Sequence, residues 1–494
     1  MRSPPARFAP ARAALAATIL AAAALAAAGC GPASGGGDVP RWPDRLPPSE
    51  AFGARRGLVP ARASIHLHSV WSYDACDKAP VDSLGRPDET CLARLRRALC
   101  LQRIDVAFLT EHDNRLAEAD SLREALLFRE GDMGLEAGGR LVAKRQPCPD
   151  GGDVLWFAGA ENTLMPIALD SLPRGTAEER RRFYDADTAG AADLFRALGA
   201  VVLLPHPEEL TAARAAGLAP DGIEVYNPHA NFTPKHRASQ GMSRFGAILD
   251  ILPFYGRRTR AHPDLLLLPI FHANRKSVTT WDAILARRMT FGFGAIDAHE
   301  NALPWDLGDG TRGDAYERML PWVTNVLLVD HPDAVAAGAA DRIEDAVRRG
   351  RLFVAIEAWG TPVGFDFRLE GPAGIAEMGE TVALAPGQTL VVEPPGVSLG
   401  GLDPAREPGL PEPSLRVRVY RIEPGGRRTM IEEASGVAGS MPQVRATVPG
   451  EGAYRVEVGI VPCHLAPYGA GGLMREVVWI YANPIRVVGP QVGR

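Results

Sequence analysis

Two textures of apolar and polar positions divide the chain. From residue 63 to about 330, short apolar runs recur at 64–68, 105–110, 154–160, 201–205, 222–226, 265–271, 292–296 and 325–329, and each predicts a strand. Between them lie stretches with helical spacing, notably 89–101, 118–129 and 189–198. Nearly continuous apolar strands alternating with helices predict a parallel sheet covered by helices. Seven or eight repeats of that unit favour a closed or nearly closed barrel over an open sheet. The Gly- and Pro-containing segment 131–152 reads as an inserted loop, and DRIEDAVRRG (341–350) as a short amphipathic helix that ends this texture.

Beyond Thr361 and Pro362 the helical spacing stops. GFDFRLE, QTLVVEPP, SLRVRVYRIEP, MPQVRATVPG, GAYRVEVGI and NPIRVVG read as short strands split by Gly and Pro turns. The expected class is therefore α/β: a (β/α) barrel over 61–360 followed by a small β-sandwich-like domain over 361–494. The second unit gathers no cluster of ionisable residues and reads as a packing partner. Its single histidine, His464, follows Cys463 and reads as a surface or packing residue.

Candidate chemistry falls at one edge of the predicted sheet. In SIHLHSVWSYD, strand periodicity puts His66 and His68 on one face, opposite Ile65 and Leu67. LTEHDN puts Glu111, His112 and Asp113 after the second strand, and FAGAEN puts Glu161 after the third. His206 follows the fourth strand, Glu224 and Asn227 end the fifth, His272 follows the sixth, and Asp297 and His299 follow the seventh. C-terminal ends of parallel barrel strands converge on one rim. Core packing gives no reason for a histidine or an acid at that end each time. Mixed imidazole and carboxylate donors suit Zn²⁺, Mn²⁺ or Fe²⁺ better than an all-oxygen Mg²⁺ or Ca²⁺ site. The donors outnumber one tetrahedral sphere, so two or three ions are expected, with Glu161 or Asp297 placed to bridge. Closely spaced ions of this kind serve hydrolysis through metal-held hydroxide.

HLHSVWSYD, LTEHDN, the Glu161 segment, LLPHP and AIDAH resemble the successive motifs of the PHP (polymerase and histidinol phosphatase) superfamily of metallohydrolases, over about residues 60–330. The resemblance implies a distorted (β/α)7 barrel holding up to three metals. By motif position it implies His66, His68, Asp74, His112, Glu161, His206, Asp297 and His299 as ligands. RRGRLFVAIEA, GAYRVEV and WIYANPIRV also resemble an exported branch that cleaves carbamates and carboxylic esters. Three departures stand out. Ser72-Tyr73-Asp74 replaces Ser-Asp-Gly, with Asp77 as the alternative acid, and Glu111 stands where an aspartate is usual. No histidine lies between Glu161 and His206, leaving a ligand place for His272, a water, or a smaller number of ions. His272 and Arg275 are the expected catalytic residues, the arginine meeting developing negative charge.

The N-terminus sets the expected compartment. Arg2, Arg7 and Arg12 precede an alanine-rich apolar run over 13–28, then Gly29 and Cys30. That is the layout of a secretory signal over 1–30, and the run is shorter than the roughly 20 residues that span a bilayer. AAAGC resembles a lipoprotein processing site, which makes lipid on Cys30 the expected membrane link; residues 31–60 read as a flexible tether. With 54 Lys+Arg against 59 Asp+Glu, a net charge of −5, nothing draws the chain to nucleic acid. Cys76, Cys91, Cys100, Cys148 and Cys463 read as structural in an oxidising compartment, their pairing open. The expected function is an exported metal-dependent hydrolase of a small-molecule ester. A phosphoester is placed first, a carboxylic ester or carbamate second, and a non-catalytic surface binding protein third.

Overall fold

The computed structural model describes residues 42–43, 45–243, 246–247, 249, 262–330, 340–400 and 410–489. The expected signal segment with Cys30, and residues 31–41 and 44 of the expected tether, lie outside them, whereas residues 45–60 are packed rather than a loose tether: Ser49–Phe52 form a 3-10 turn, Phe52 is fully buried, and a strand begins at Val59. The elements that place the site are β1 (Val59–Leu67), α1 (Glu89–Leu101), β2 (Val106–Leu109), β3 (Asp153–Phe157), β4 (Val201–Leu204), β5 (Gly222–Tyr226), α2 (Arg275–Leu285), β6 (Phe291–Gly294), β7 (Thr324–Val329), β8 (Leu352–Ala355), β9 (Gly452–Val461) and β10 (Val477–Val488).

β1, β2 and β3 run parallel, with Ala63 opposite Val106 and Val106 opposite Leu155. β7 and β8 extend this sheet antiparallel beyond β1. β4, β5 and β6 form a second parallel group, with Gly222 facing both Leu203 and Phe291. Residues 60–67 of β1 are buried throughout, as expected of a strand covered on both faces. α1 starts at Asp88, whose carboxylate accepts from the Thr90 and Cys91 amides, and buries Cys91, Leu92, Leu95, Ala98 and Leu99 at helical spacing.

The chain is mixed α/β with one large mixed sheet of twelve strands, and among the described residues its strands do not close into a barrel. The two parallel groups touch at two seams, a bridge between Leu67 and Ala298 and one between Gly159 and Ile167. Gly159 is required at its seam: a Cβ there would stand 2.5 Å from the Leu109 carbonyl and 2.6 Å from that of Pro166.

Three local expectations are corrected. Residues 265–271 form no strand; two 3-10 turns, Pro263–Leu265 and Leu268–Ile270, occupy that stretch. Pro263 and Pro269 supply no amide to a ladder, and burial explains the leucines without one. The helix expected over 118–129 shrinks to the turn Leu122–Ala125, capped by Ser121 and followed by Leu127 at φ 54°. The inserted loop 131–152 contains a hairpin, Met133–Ala137 with Arg140–Pro147, turned by Gly138 and Gly139 at positive φ. That hairpin pairs with β3 through Arg140–Pro147.

Past residue 360, β10 pairs with β8, Phe353 opposite Ala482, so the large sheet continues without a break into the C-terminal strands. A separate four-stranded antiparallel sheet covers Asp366–Gly371, Gly374–Glu377, Thr389–Glu393 and Val444–Thr447. The C-terminal strands pack on the site-bearing half. Wholly buried Arg455 of β9 donates to both carboxylate oxygens of Asp282 in α2, at 2.7 and 3.0 Å. The Asn483 side chain exchanges two hydrogen bonds with the Gly292 backbone. His464 is buried rather than at the surface and sits 2.8 Å from the Trp359 carbonyl through Nε2. Cys76 pairs with Cys91 and Cys100 with Cys148, and among the described residues no cysteine is free.

Candidate metal centre

The C-terminal ends of β1 to β6 deliver their polar residues to one place. Glu161 touches four imidazoles: His66 Nε2 at 3.1 Å, His206 Nε2 at 3.3 Å, His112 Nδ1 at 3.4 Å and His68 Nε2 at 3.5 Å. Asp297 stands opposite, with His299 Nδ1 at 3.3 Å, His66 Nε2 at 3.5 Å, and His68 and His206 Nε2 at 3.6 Å. Asp74 closes the far side, 3.4 Å from His299 Nε2 and 3.5 Å from His112 Nε2. All eight residues expected as ligands therefore meet. Asp77 does not join them; its carboxylate pairs with Arg312 at 2.9 Å.

Three sets of ligand atoms here lie close enough for one ion each: His66, His68 and Glu161; His66, His206 and Asp297; His68, His112 and His299. These buried groups have the spacing of divalent-cation donors, and their nitrogen-plus-carboxylate chemistry fits the expected metals.

Hydrogen bonding fixes which imidazole nitrogen carries a lone pair. His66 Nδ1 lies 2.8 Å from Glu224, an acceptor only, so the proton sits on Nδ1. The Ser72 hydroxyl donates to Glu111 at 2.7 Å, so it accepts from His68 Nδ1 at 2.8 Å as well as from the His112 amide at 3.1 Å. His299 Nδ1 donates to the Asp297 carbonyl at 3.0 Å. In each neutral ring Nε2 is left with its lone pair, and among the described residues the buried Nε2 atoms of His66, His68 and His299 have no hydrogen-bond partner. Asp74 Oδ1 is orphaned in the same way. Unpaired buried polar atoms are costly, and four of them converging is what a cation would relieve.

Backbone geometry singles out the same residues. His66, His206 and Asp297 have φ of 66°, 45° and 51°, a region that side-chain-bearing residues seldom occupy. At His66 this accompanies a register shift between β1 and β2, which turns the strand end across to the Asp297 amide.

Charge in the cluster is unbalanced. Burial pushes the Glu161 carboxyl up, but the imidazoles around it, His66 first, outweigh burial and hold it well below the usual range. Asp297 behaves alike, with His229 and His66 as the chief opposing charges. Burial pushes the His66 imidazole down, yet Glu161 and Asp297 carry it up to about 10. Burial and then the neighbouring His299 push His68 well down. The acids thus demand more positive charge than the rings can all carry together.

A cavity of about 300 Å³ opens over Asp74, Asp297 and His299. Phe232, Leu267, Ile270, Ile296, Met319 and Trp322 give it apolar walls. His272 and Arg275 are not among its lining residues; they line a second cavity with Arg237, Gln240 and Arg475. Glu224 sits behind the cluster and holds the His66 ring through Nδ1 at 2.8 Å. His229, which reads in sequence as an ordinary surface histidine, lines the first cavity and brings Nδ1 to 2.6 Å from Asp297. His236, from the same polar stretch as His229, forms a further set of potential ligands with His206 and Glu208. The signal for His229 and Glu208 is the one that marks the others, a polar residue a few positions past a parallel strand's C-terminal end, here Tyr226 and Leu204.

No family model, no curated protein and no solved structure matches the chain.

Proposed function

We propose that the chain is a metal-dependent ester hydrolase of the PHP kind, built on a distorted (β/α)7 arrangement whose two parallel groups meet around two or three divalent cations. One observation carries the reading: buried Nε2 atoms of His66 and His68 converge unpaired on Glu161 and Asp297, and that of His299 on Asp74, with the three tautomers set by Glu224, Ser72 and the Asp297 carbonyl. Cations bound there supply Lewis acidity and a water acidified toward neutral pH. The chain's own groups do the rest. Glu161 and Asp297 would hold the cations together with the imidazoles, Glu224, Ser72 and Glu111 hold the rings, and the apolar walls exclude bulk water from the reacting bond.

A carboxylic ester or carbamate fits the cavity better than a phosphate monoester. No lysine or arginine is among its described lining residues, whereas Asp74, Asp297, Glu300 and Asp314 are. A dianion would meet carboxylates and greasy walls, and Arg275 faces elsewhere. Purified protein loaded with Zn²⁺ or Mn²⁺ is expected to hydrolyse p-nitrophenyl acetate and to lose that activity in Asp297→Asn. Turnover of p-nitrophenyl phosphate alone would restore the phosphoester reading. Absence of metal by mass spectrometry would remove the hydrolase reading altogether.

A further inference from the structure

The segment carrying Asp74 has an uncommon backbone. Cys76, Asp77 and Lys78 follow one another at φ of 53°, 57° and 65°, a left-handed turn containing no glycine. L-residues leave such a conformation unless their surroundings hold them in it. Five ties hold this one. Cys76 is joined to Cys91 on α1. The Cys76 amide donates to the His299 carbonyl at 2.9 Å, and the Asp77 amide to that of Glu300 at 2.8 Å. The Asn301 side chain donates to the Asp74 carbonyl at 2.9 Å. Arg312 grips both oxygens of Asp77 at 2.9 Å each. From α1, Arg94 adds a contact of 2.8 Å to Glu300.

The segment bearing Asp74 and the segment bearing His299 are therefore stitched to one another and to one helix, and both ends of the stitching belong to the same corner of the cluster. His66, His206 and Glu161 reach their positions from β1, β4 and the residues after β3, without touching this turn. We propose that the Cys76–Cys91 disulfide and the left-handed turn beside it are the positioning element of one cation place only, that of Asp74, His112 and His299. Asp74 is the carboxylate facing the Nε2 atoms of both imidazoles, at 3.5 and 3.4 Å, so a small displacement removes the anionic donor on that side. The proposal rests on the metal reading above, and metal content tests it without recourse to activity.

The experiment compares wild type, Cys76→Ala/Cys91→Ala, Asp74→Asn and the combination of all three substitutions. Each is loaded with Zn²⁺, passed through a desalting column, and measured for bound metal per chain by mass spectrometry. The cysteine pair is expected to lose one equivalent and keep the others. Asp74→Asn is expected to lose the same equivalent, and the combination to lose no more than either alone. Full metal content in the cysteine variant would overturn the inference while leaving the centre intact, whereas a metal-free wild type would sink the centre and the inference together. Should the cysteine variant fail to fold, Arg312→Ala keeps the disulfide and frees Asp77. It is expected to weaken the same equivalent about tenfold, and unchanged affinity there would also overturn the proposal.

Discussion

The Ser72 hydroxyl makes three bonds at once, to Glu111, His68 and the His112 amide, so Ser72→Ala tests how the rings are held. Glu111 keeps its two contacts with Ser69, one from the amide at 3.0 Å and one from the hydroxyl, so its carboxylate is only partly orphaned. The His68 Nδ1 proton loses its acceptor in a fully buried setting, and the His112 amide loses its own in a half-buried one. Leaving such groups unpaired costs about 1–3 kcal/mol each, and the three are not additive, so a total loss of about 2–4 kcal/mol is expected. Removing the partner that orients a ligating imidazole weakens metal binding by about 10- to 100-fold. Ser69→Ala is the matched control, since its hydroxyl reaches Glu111 and the Trp71 amide but no imidazole. Guanidinium unfolding in chelator reads the stability; competition with a chromophoric chelator reads Zn²⁺ affinity. Both variants should lose stability, and only Ser72→Ala should lose affinity. Equal affinities for Ser72→Ala and wild type would refute the tautomer argument, because His68 would then present its lone pair without help.

Other outcomes follow from single features. In the native helix Ala340–Arg348, burial and then the nearby Asp170 carry the Glu344 carboxyl up to about 7. An unfolded glutamate ionises near 4.3, so the native state binds the extra proton between these values, and stability falls by roughly 3 kcal/mol as pH rises from about 4.5 to 7. Glu344→Gln should flatten that decline in pH-dependent unfolding midpoints. Arg455→Ala leaves Asp282 with only the 3.3 Å contact from Arg428, and a loss of about 3–5 kcal/mol is expected in denaturant titrations. Gly159→Ala forces a methyl against two carbonyls beside Glu161 and should cost about 3 kcal/mol or more together with metal affinity; a stable, metal-replete variant would count against the seam. Saturating Zn²⁺ at about a hundred times its dissociation constant should stabilise the native chain by roughly 2.7 kcal/mol, lost again on chelation.

The site was more legible in the sequence than the sheet that holds it. Strand ends are local events: an apolar run such as VVLL followed by Pro and His announces both the strand and the polar residue it delivers. Closure is a long-range property. Whether β6 and β1 share a ladder or only a bridge at Leu67 and Ala298 depends on backbone turns at His66 and Asp297, and nothing in those residue types announces positive φ. The run LLLLPIF shows the opposite failure, since its apolar content demanded burial and it reached burial by turns instead. EAGGRLVAK carried a hairpin signal in its Gly-Gly pair that Gly and Pro content elsewhere in the segment obscured. The division at residue 360 marks a change of texture, yet β8 and β10 hydrogen-bond across it.

The residues in unfavourable backbone conformations also argue for function rather than mere packing. A non-glycine residue at left-handed φ costs about 1–2 kcal/mol, and His66, His206 and Asp297 each accept that cost. A fold optimised for stability would place glycine or asparagine there and an apolar side chain at His68, which is fully buried beside Leu67. The same three residues form one of the ligand sets, and two of them, His66 and His206, carry an unpaired ring nitrogen. Strain, buried charge and orphaned lone pairs are each unfavourable on their own, and a single event, the binding of divalent cations, would relieve the last two and give the first a purpose. If the chain unfolds at the same temperature with and without divalent metal, that coincidence has no common cause and the centre is structural after all.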